Sequence, residues 1–300
     1  MPGWLPATVR PVDLEYLRAH PETIPRLIEH QRIRVTPLGG AKGARVERWT
    51  LDDGTDLFAK INVDPAVTFA EGRSLRWLAE PGVAAVPEVL TAAPEFLVMS
   101  WVEQGPATPP GAANFGRQLA SLHVSGAPTF GLDTDGVLAT LPLPNSPEPD
   151  WPMFYVKHRC LPFLRLARDA GALDASEAAT VEAALGRVAS WAGPAEPPAR
   201  IHGDLWSGNV LPGTADGVEG WWLVDPSAHG GHRETDLAML ALFGAPHLDR
   251  VIAAYQEVSP LAEGWQDRVG LHQLHPLLVH SVLFGAGYAS RVVAAAQSVR

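Results

Sequence analysis

Within "RIHGDLWSGNVL", residues 200–211, three polar side chains recur at a spacing that suits phosphoryl transfer: His202, Asp204 and Asn209. A carboxylate followed five residues later by an amide, in a loop closed by Gly203 and Gly208, can hold two oxygen donors close together. Phosphoryl transfer uses such a pair: Asp204 would orient an attacking hydroxyl and take its proton, and the Asn209 oxygen would bind Mg²⁺. A turn capped by Asx hydrogen bonds is the competing explanation. A second carboxylate, Asp225 in "WWLVDPSAHGG", stands at the mouth of an apolar strand sixteen residues after Asn209. An ionised group there is costly unless a cation meets it, as Mg²⁺ would. An Asx-Pro turn with Pro226 is the alternative.

A triphosphate also needs a cradle and a counter-charge. "PLGGAKGA" offers Gly39, Gly40 and Gly43 between two strands, where missing side chains let backbone N–H groups approach an anion. Many glycine-rich hairpin turns bind nothing, so this signal depends on its neighbours. Lys60, in "DLFAKIN", shares a strand face with Phe58 and Asn62, while Leu57, Ala59 and Ile61 take the other. Glu71, Leu75 and Leu78 fall at i, i+4 and i+7 of the following helix, which puts the carboxylate on its apolar face. An inward Glu requires a cation. Lys60 is the expected partner, with Arg73 and Arg76 as rivals, and the pair would aim the ammonium at the α- and β-phosphates.

The elements that must position these groups can be read in order. Residues before Arg32 form short helical pieces broken by Pro11, Pro21 and Pro25. "RIRVTPL", "RVERWTL" and "DLFAKIN" are strands, with a turn at Asp52-Asp53-Gly54. A helix runs from Pro65 to a stop at Pro81-Gly82, and "PEVLTA" and "EFLVMSWVE" add two strands. Beyond Gln104 the pattern is helical, with Phe115, Leu119 and Leu122 on one face. The Pro-rich stretch from Gly126 to Pro152 reads as irregular. Helices are expected over Met153–Ala170 and Ser176–Ala192, and a hairpin around "PGTADGVEG". A helical remainder carries a stripe of Leu271, Leu274, Leu278 and Val282.

Composition excludes other classes. The chain of 300 residues is 46% hydrophobic and 19% charged, too apolar for disorder. A net charge of −10 argues against a nucleic-acid partner and is mildly compatible with a cationic substrate. The single cysteine, Cys160, rules out an internal disulfide framework and a multi-cysteine metal site. The first residues lack the basic-then-apolar order of a signal peptide. No apolar run approaches the roughly 20 residues of a bilayer span. A soluble protein of the reducing cytoplasm, with no membrane partner, is expected.

Glycine-rich loop, strand Lys, helix Glu, H-x-D-x-x-x-x-N and strand-end Asp occur here in the order of the protein-kinase-like fold. The chain closely resembles the fructosamine (ketosamine) 3-kinase family. The resemblance rests on "HGDLWSGNVL" and "GHRETDLAMLALFG", and extends to "FGRQLASLH", "DWPMFYVKHRCLPFL" and "LHQLHPLLVHSVLFGAGY". It covers about residues 33–290; the proline-broken start lies outside it. Aminoglycoside and choline kinases share the H-x-D-x-x-x-x-N and the later Asp, but usually not Trp206 or the G-H-R-E block.

The resemblance implies an α+β, two-lobed fold: a small antiparallel-sheet N-lobe with one main helix, residues 1–103, and a larger, mostly helical C-lobe, residues 104–300. It implies ATP and Mg²⁺ as cofactors, with Asp204 as catalytic base, Asn209 and Asp225 as metal ligands, and Lys60 and Glu71 anchoring the nucleotide. It makes "FLVMSWVE", including Met99 and Trp101, the hinge whose backbone binds adenine. His202 would brace the catalytic loop, and Asp236 would accept backbone N–H bonds from it; a first-turn helix Asp is the compatible bland reading. Trp206 either flanks a bound sugar or closes the loop as a core residue. His229, Arg233 and Glu234 would grip the acceptor, although Arg233 and Glu234 are equally readable as an ion pair. The His229/His232 and His272/His275 spacings suggest zinc, but neither stretch supplies a third ligand. The loop "GGAKGA" has no hydroxyl to cap a phosphate, which leaves backbone and Lys42.

The implied activity is phosphorylation of a sugar hydroxyl on a small-molecule ketosamine or glycated amine, of the fructose, ribulose or erythrulose type, which deglycates the amine. An aminoglycoside-type phosphotransferase and a non-catalytic nucleotide-binding module are the rivals. Nothing in the residues fixes an oligomeric state.

Overall fold

Alternating side chains on the N-terminal strands give the sheet two apolar faces, and different helices cover each. The structure, a computed structural model, describes residues 12–41, 44–62 and 64–300. Helices α1 (Leu14–Ala19) and α2 (Ile24–Glu29) precede strands β1 (Arg34–Ala41), β2 (Ala44–Thr50) and β3 (Asp56–Asn62). Helix α3 (Pro65–Ala79) follows, then β4 (Val89–Ala92) and β5 (Phe96–Ser100). These strands form one antiparallel sheet in the order β1-β2-β3-β5-β4.

Leu57 and Ala59 of β3 join Trp49 and Val98 in a core closed by Leu17 and Ile24, so the short N-terminal helices serve as the sheet's outer cover. Phe58 takes the opposite face, with Leu97, Met99 and Leu75 of α3. Asp64 caps α3 by accepting the Ala66 N–H, and Pro65 starts the helix where a missing donor costs nothing.

Strand β6 (Glu103–Gln104) leads out of this region into α4 (Pro109–Val124), which buries Phe115, Leu119 and Leu122. The stretch after Gly126, expected to be irregular, contains a hairpin of β7 (Gly136–Leu138) and β8 (Leu141–Leu143). Its strands are too short for alternation to mark them. Their ends are held by Asp135, which accepts the Asn145 N–H at 2.8 Å. The expected helix from Met153 is α5 (Trp151–Phe154) and α6 (Leu161–Asp169), joined by a π-helical turn over Tyr155–Cys160. The next is likewise split, into α7 (Ala175–Leu185) and α8 (Val188–Trp191).

Strand β9 (Ala199–Ile201) enters the loop around Asp204. The expected hairpin follows as β10 (Val210–Ala215) and β11 (Val218–Leu223), turning through Asp216 and Gly217 at φ 49° and 77°, the pattern of a tight hairpin. β6 joins its edge to make a three-stranded sheet. β12 (His229–Gly231) then returns antiparallel to β9. Helices α9 (Glu234–Phe243), α10 (Leu248–Val258), α11 (Trp265–Phe284) and α12 (Ala289–Ser298) complete the chain. Leu271, Leu274 and Leu278 are buried in α11 as their spacing predicts, and Val282 packs against the same core. Among the described residues no helix is long and apolar enough to cross a membrane.

Candidate active site

Two strand ends, one helix and the loop after β9 converge on a cavity of about 600 Å³ lined by Gly40, Lys60, Glu71, Asp204, Trp206, Asn209 and Asp225. β3 delivers Lys60 and α3 delivers Glu71, with Nζ and Oε2 2.7 Å apart; the same Nζ donates to Asp225 Oδ1 at 2.9 Å. Burial alone would lower the Lys60 pKa, but Glu71 and Asp225 raise it above its ordinary value, so the ammonium stays charged. Burial pushes the Glu71 carboxyl up, against the pull of Lys60. The expected pair is therefore present, with Asp225 as a third member. The rival Arg73 instead donates to the Asp135 carbonyl beside the β7–β8 hairpin.

The loop is held by its own polar groups. Asn209 Nδ2 donates to the Asp204 carbonyl at 2.9 Å and to its Oδ2 at 3.1 Å, which turns the Asn209 amide oxygen away from Asp204. His202 is fully buried: its Nε2 donates to the Val224 carbonyl at 2.9 Å, and its Nδ1 accepts the Asp204 N–H at 3.3 Å. Burial lowers its pKa, which suits a neutral ring serving as a brace. Asp236, at the start of α9, accepts the backbone N–H of His202 at 2.7 Å and of Gly203 at 3.0 Å. Gly203 has φ 82°, and a Cβ there would collide with the Ser227 carbonyl oxygen, so only glycine fits.

Asp204 is pushed up to about 7, first by burial and then by the charges of Asp225 and Asp236, with the Asn209 hydrogen bond opposing. Desolvation acts to raise the Asp225 pKa, but Lys60, Glu71 and His202 together hold it below its ordinary value, and the residue has a left-handed φ of 52° that a non-glycine residue rarely adopts. Asp204, Asn209 and Asp225 form an all-oxygen donor set in a cleft where carboxylates outnumber the ammonium. That chemistry fits a hard divalent cation such as Mg²⁺. Beside it lies a second cavity of about 240 Å³ with a mostly apolar lining that includes Leu38, Phe58, Met99, Trp101, Val102 and Leu211. Gly43 and Lys42 of the glycine loop lie outside the described residues; Gly39 and Gly40 belong to β1.

Trp206 is 40% exposed, with its indole over Gly208 and edge-on to Phe243, centroids 6.3 Å apart. It is a cleft residue rather than a core one.

Three expected acceptor contacts are not brought to the cleft. His229 is buried, its Nδ1 donating to the Ser227 carbonyl and its Nε2 accepting from Arg159. Arg233 forms a two-pronged pair with Glu196 at 2.7 Å. Glu234 forms another with Arg268 at 2.6 and 2.9 Å, so the two do not pair with each other. His232, Glu234 and His272 do bring ligand atoms within 4.8 Å of one another, which supplies the third residue that the zinc reading lacked. Arg268 takes both Glu234 oxygens, and His232 Nδ1 accepts the Glu234 N–H, while the buried His272 Nε2 stands 3.3 Å from Glu234 Oε2 with no hydrogen-bond partner among the described residues.

Sequence reasoning missed the β7–β8 hairpin, whose Val137, Ala139 and Thr140 wall the main cavity. Its anchor is Arg159, buried by the π-helical turn, which donates to the Pro144 carbonyl and the Asn145 side chain. The basic run "KHRC" gave no sign of this.

A family model described as fructosamine kinase matches residues 28–299. An Escherichia coli protein named as a probable ketoamine kinase is 36% identical over 241 residues, 77% of this chain and 81% of its own. A Thermobifida fusca protein crystallised as a fructosamine-3-kinase superposes with a TM-score of 0.85 at 47% identity, covering 92% of this chain and 97% of that one. An aminoglycoside phosphotransferase superposes at 0.60 with 13% identity over 93% of this chain, a likeness of fold alone.

Proposed function

The chain belongs to the fructosamine kinase family and is a phosphotransferase, and from that premise we propose that it transfers the γ-phosphoryl group of ATP to a sugar hydroxyl of a small-molecule ketosamine. The observation that carries this reading is the convergence of Lys60, Glu71, Asp204, Asn209 and Asp225 on one cavity from four separate elements.

Each residue then has a task. Asp204 aligns the acceptor hydroxyl and takes its proton, and a pKa raised toward 7 suits that exchange. Asn209 and Asp225 would hold Mg²⁺, which would offset charge on the phosphates. Lys60, held by Glu71 and Asp225, would supply the positive charge for the α- and β-phosphates. Met99 and Trp101 line the side cavity where adenine fits, with the backbone of the segment to Val102 as its hydrogen-bonding edge. Trp206 offers an apolar face to the sugar. Little of this is covalent chemistry by the protein; catalysis is positioning and electrostatics.

Phosphorylation makes the sugar–amine linkage labile, so the physiological outcome of this reading is deglycation. The test is a ³¹P-monitored assay with Mg²⁺–ATP on fructose-, ribulose- and erythrulose-type adducts of lysine. At least one adduct should gain a phosphate ester, and Asp204→Asn should lower kcat by roughly 10²–10⁴-fold. Unchanged turnover in Asp204→Asn would remove its role as base. ATP binding with no phosphorylation of any adduct would favour a binding module.

A further inference from the structure

A row of rings leaves the cleft beside Asp204. The exposed indole of Trp206 meets Phe243, at the end of α9, edge-on. Phe243 meets His280 of α11 at 4.9 Å between centroids, and His280 meets Phe284 at 5.4 Å and Tyr288 at 5.1 Å. Phe284 and Tyr288 close the row at 5.9 Å. Phe284 is 53% exposed, the most open Phe, Tyr or Trp among the described residues, and together with the exposed Trp206 it leaves both ends of the row accessible.

The row is continuous with the site. His280 also lines a small cavity whose wall includes Asp204, Leu138 and Thr235. Trp206 lines the main one with Asp204. The nucleotide side, by contrast, is taken by Lys60, Glu71 and Asp225 and by the apolar cavity at Met99 and Trp101. An acceptor whose hydroxyl sits at Asp204 therefore has two surfaces left for its other end, the β7–β8 hairpin and the ring row, and the ring row is the aromatic one. In a ketosamine that other end is a secondary amine, protonated at neutral pH, and whatever group carries it. A cation over an indole face and an apolar group along successive rings is favourable chemistry for both parts.

We infer that Phe243, His280, Phe284 and Tyr288 form the subsite for the amine-bearing part of the acceptor, and that it selects ketosamines of amines carried on aromatic or large apolar groups. The inference rests on the kinase reading above and adds to it the class of amine. Phe284 touches none of the reacting groups, so its contribution is to binding. The preference should appear in KM rather than kcat.

The test compares fructose adducts of glycine, leucine and phenylalanine, which share one sugar, in wild type and Phe284→Ala. In wild type kcat/KM should rise from the glycine to the phenylalanine adduct by roughly three- to tenfold, the size of one aromatic contact. Phe284→Ala should remove most of that rise, with a smaller loss on the glycine adduct than on the phenylalanine adduct. Equal values for the three adducts in wild type overturn the inference, as does a preference that survives Phe284→Ala. An equal loss on all three makes the ring structural and also overturns it. Sedimentation of both proteins covers the rival occupant: a dimer lost in Phe284→Ala, with adduct kinetics unchanged, makes the row a contact between copies. Where the lysine-adduct assay finds another sugar active, the three amines are compared on that sugar; if no sugar is phosphorylated there, the kinase reading itself fails, and the amine subsite falls with it.

Discussion

Asp236 offers the substitution whose effect follows most directly from geometry. Its side chain is fully buried; Oδ2 accepts from the His202 N–H at 2.7 Å and from His123 Nε2 at 3.2 Å, and Oδ1 accepts from the Gly203 N–H at 3.0 Å. Burial acts to raise its pKa, but His123 and His202 hold it below the ordinary carboxylate value. Asp236→Ala strands three donors away from water. At about 1–3 kcal/mol for each unsatisfied group, with partial relaxation, the loss of stability should be on the order of 3–6 kcal/mol. Asp236→Asn is gentler. Its oxygen can keep the His202 and His123 bonds, while its NH₂ group faces the Gly203 N–H, one donor against another, for a loss of about 1–3 kcal/mol. That conflict sits at the residue before Asp204, so the proposed base shifts with it. Misplacement by about 1 Å costs roughly 10²-fold in rate, and kcat for Asp236→Asn should fall by about 10–100-fold. Urea unfolding measures the first quantity and an ADP-release assay the second. If Asp236→Asn unfolds within about 0.5 kcal/mol of wild type, a margin ordinary surface substitutions reach, and turns over normally, then Asp236 does not hold the loop.

Glu71→Gln leaves Lys60 with Asp225 alone, so kcat/KM for ATP should fall about 10–100-fold, or about 1.4–2.7 kcal/mol, in steady-state kinetics. Gly203→Ala must adopt φ 82° and push against the Ser227 backbone, and should lose about 2–5 kcal/mol in thermal or urea unfolding; Gly208→Ala meets only the outer edge of the exposed Trp206 indole and should lose less than about 1 kcal/mol. Glu234→Gln breaks a buried pair with Arg268 and should cost about 3–5 kcal/mol at neutral pH. Burial raises the Glu234 pKa but His272 and Arg268 hold it at about 2, so its contribution is present above the unfolded value near 4.3 and is lost as pH falls toward 2; the stability gap between wild type and Glu234→Gln should narrow over that window in pH-dependent unfolding. Chelation with EDTA should abolish turnover, and added Mg²⁺ should restore it, with Asn209→Ala needing roughly tenfold more of the ion.

The parts of the site that could be read in the sequence share one property: each is a local pattern with one dominant physical cause. Alternation put Lys60 on the face opposite Leu57 and Ala59, helical spacing turned Glu71 inward, and the two meet at 2.7 Å. Asp204 and Asn209 lie in one loop, and the β10–β11 hairpin returns the chain to Asp225, so their proximity needed only a turn signal at Asp216-Gly217. The β7–β8 hairpin gave no such pattern. Its three-residue strands hold their place through Asp135, Asn145 and Arg159, contacts that sequence spacing does not encode.

The block "GHRE" shows why the acceptor contacts were misplaced. Charged residues just after a metal-binding Asp look like substrate ligands when their partners lie out of view. Here Arg233 reaches back 37 positions to Glu196, and Glu234 forward 34 to Arg268, while Trp151 stacks on His272 from a third segment. Buried ion pairs are poor sources of net stability, since desolvation offsets much of the attraction. Their value here is positional. Arg233 and Glu234 fix the first turn of α9 from both sides, and two residues on in that turn stands Asp236, which grips His202 and Gly203. The charges that seemed to face the substrate instead hold the residue that holds the loop of Asp204.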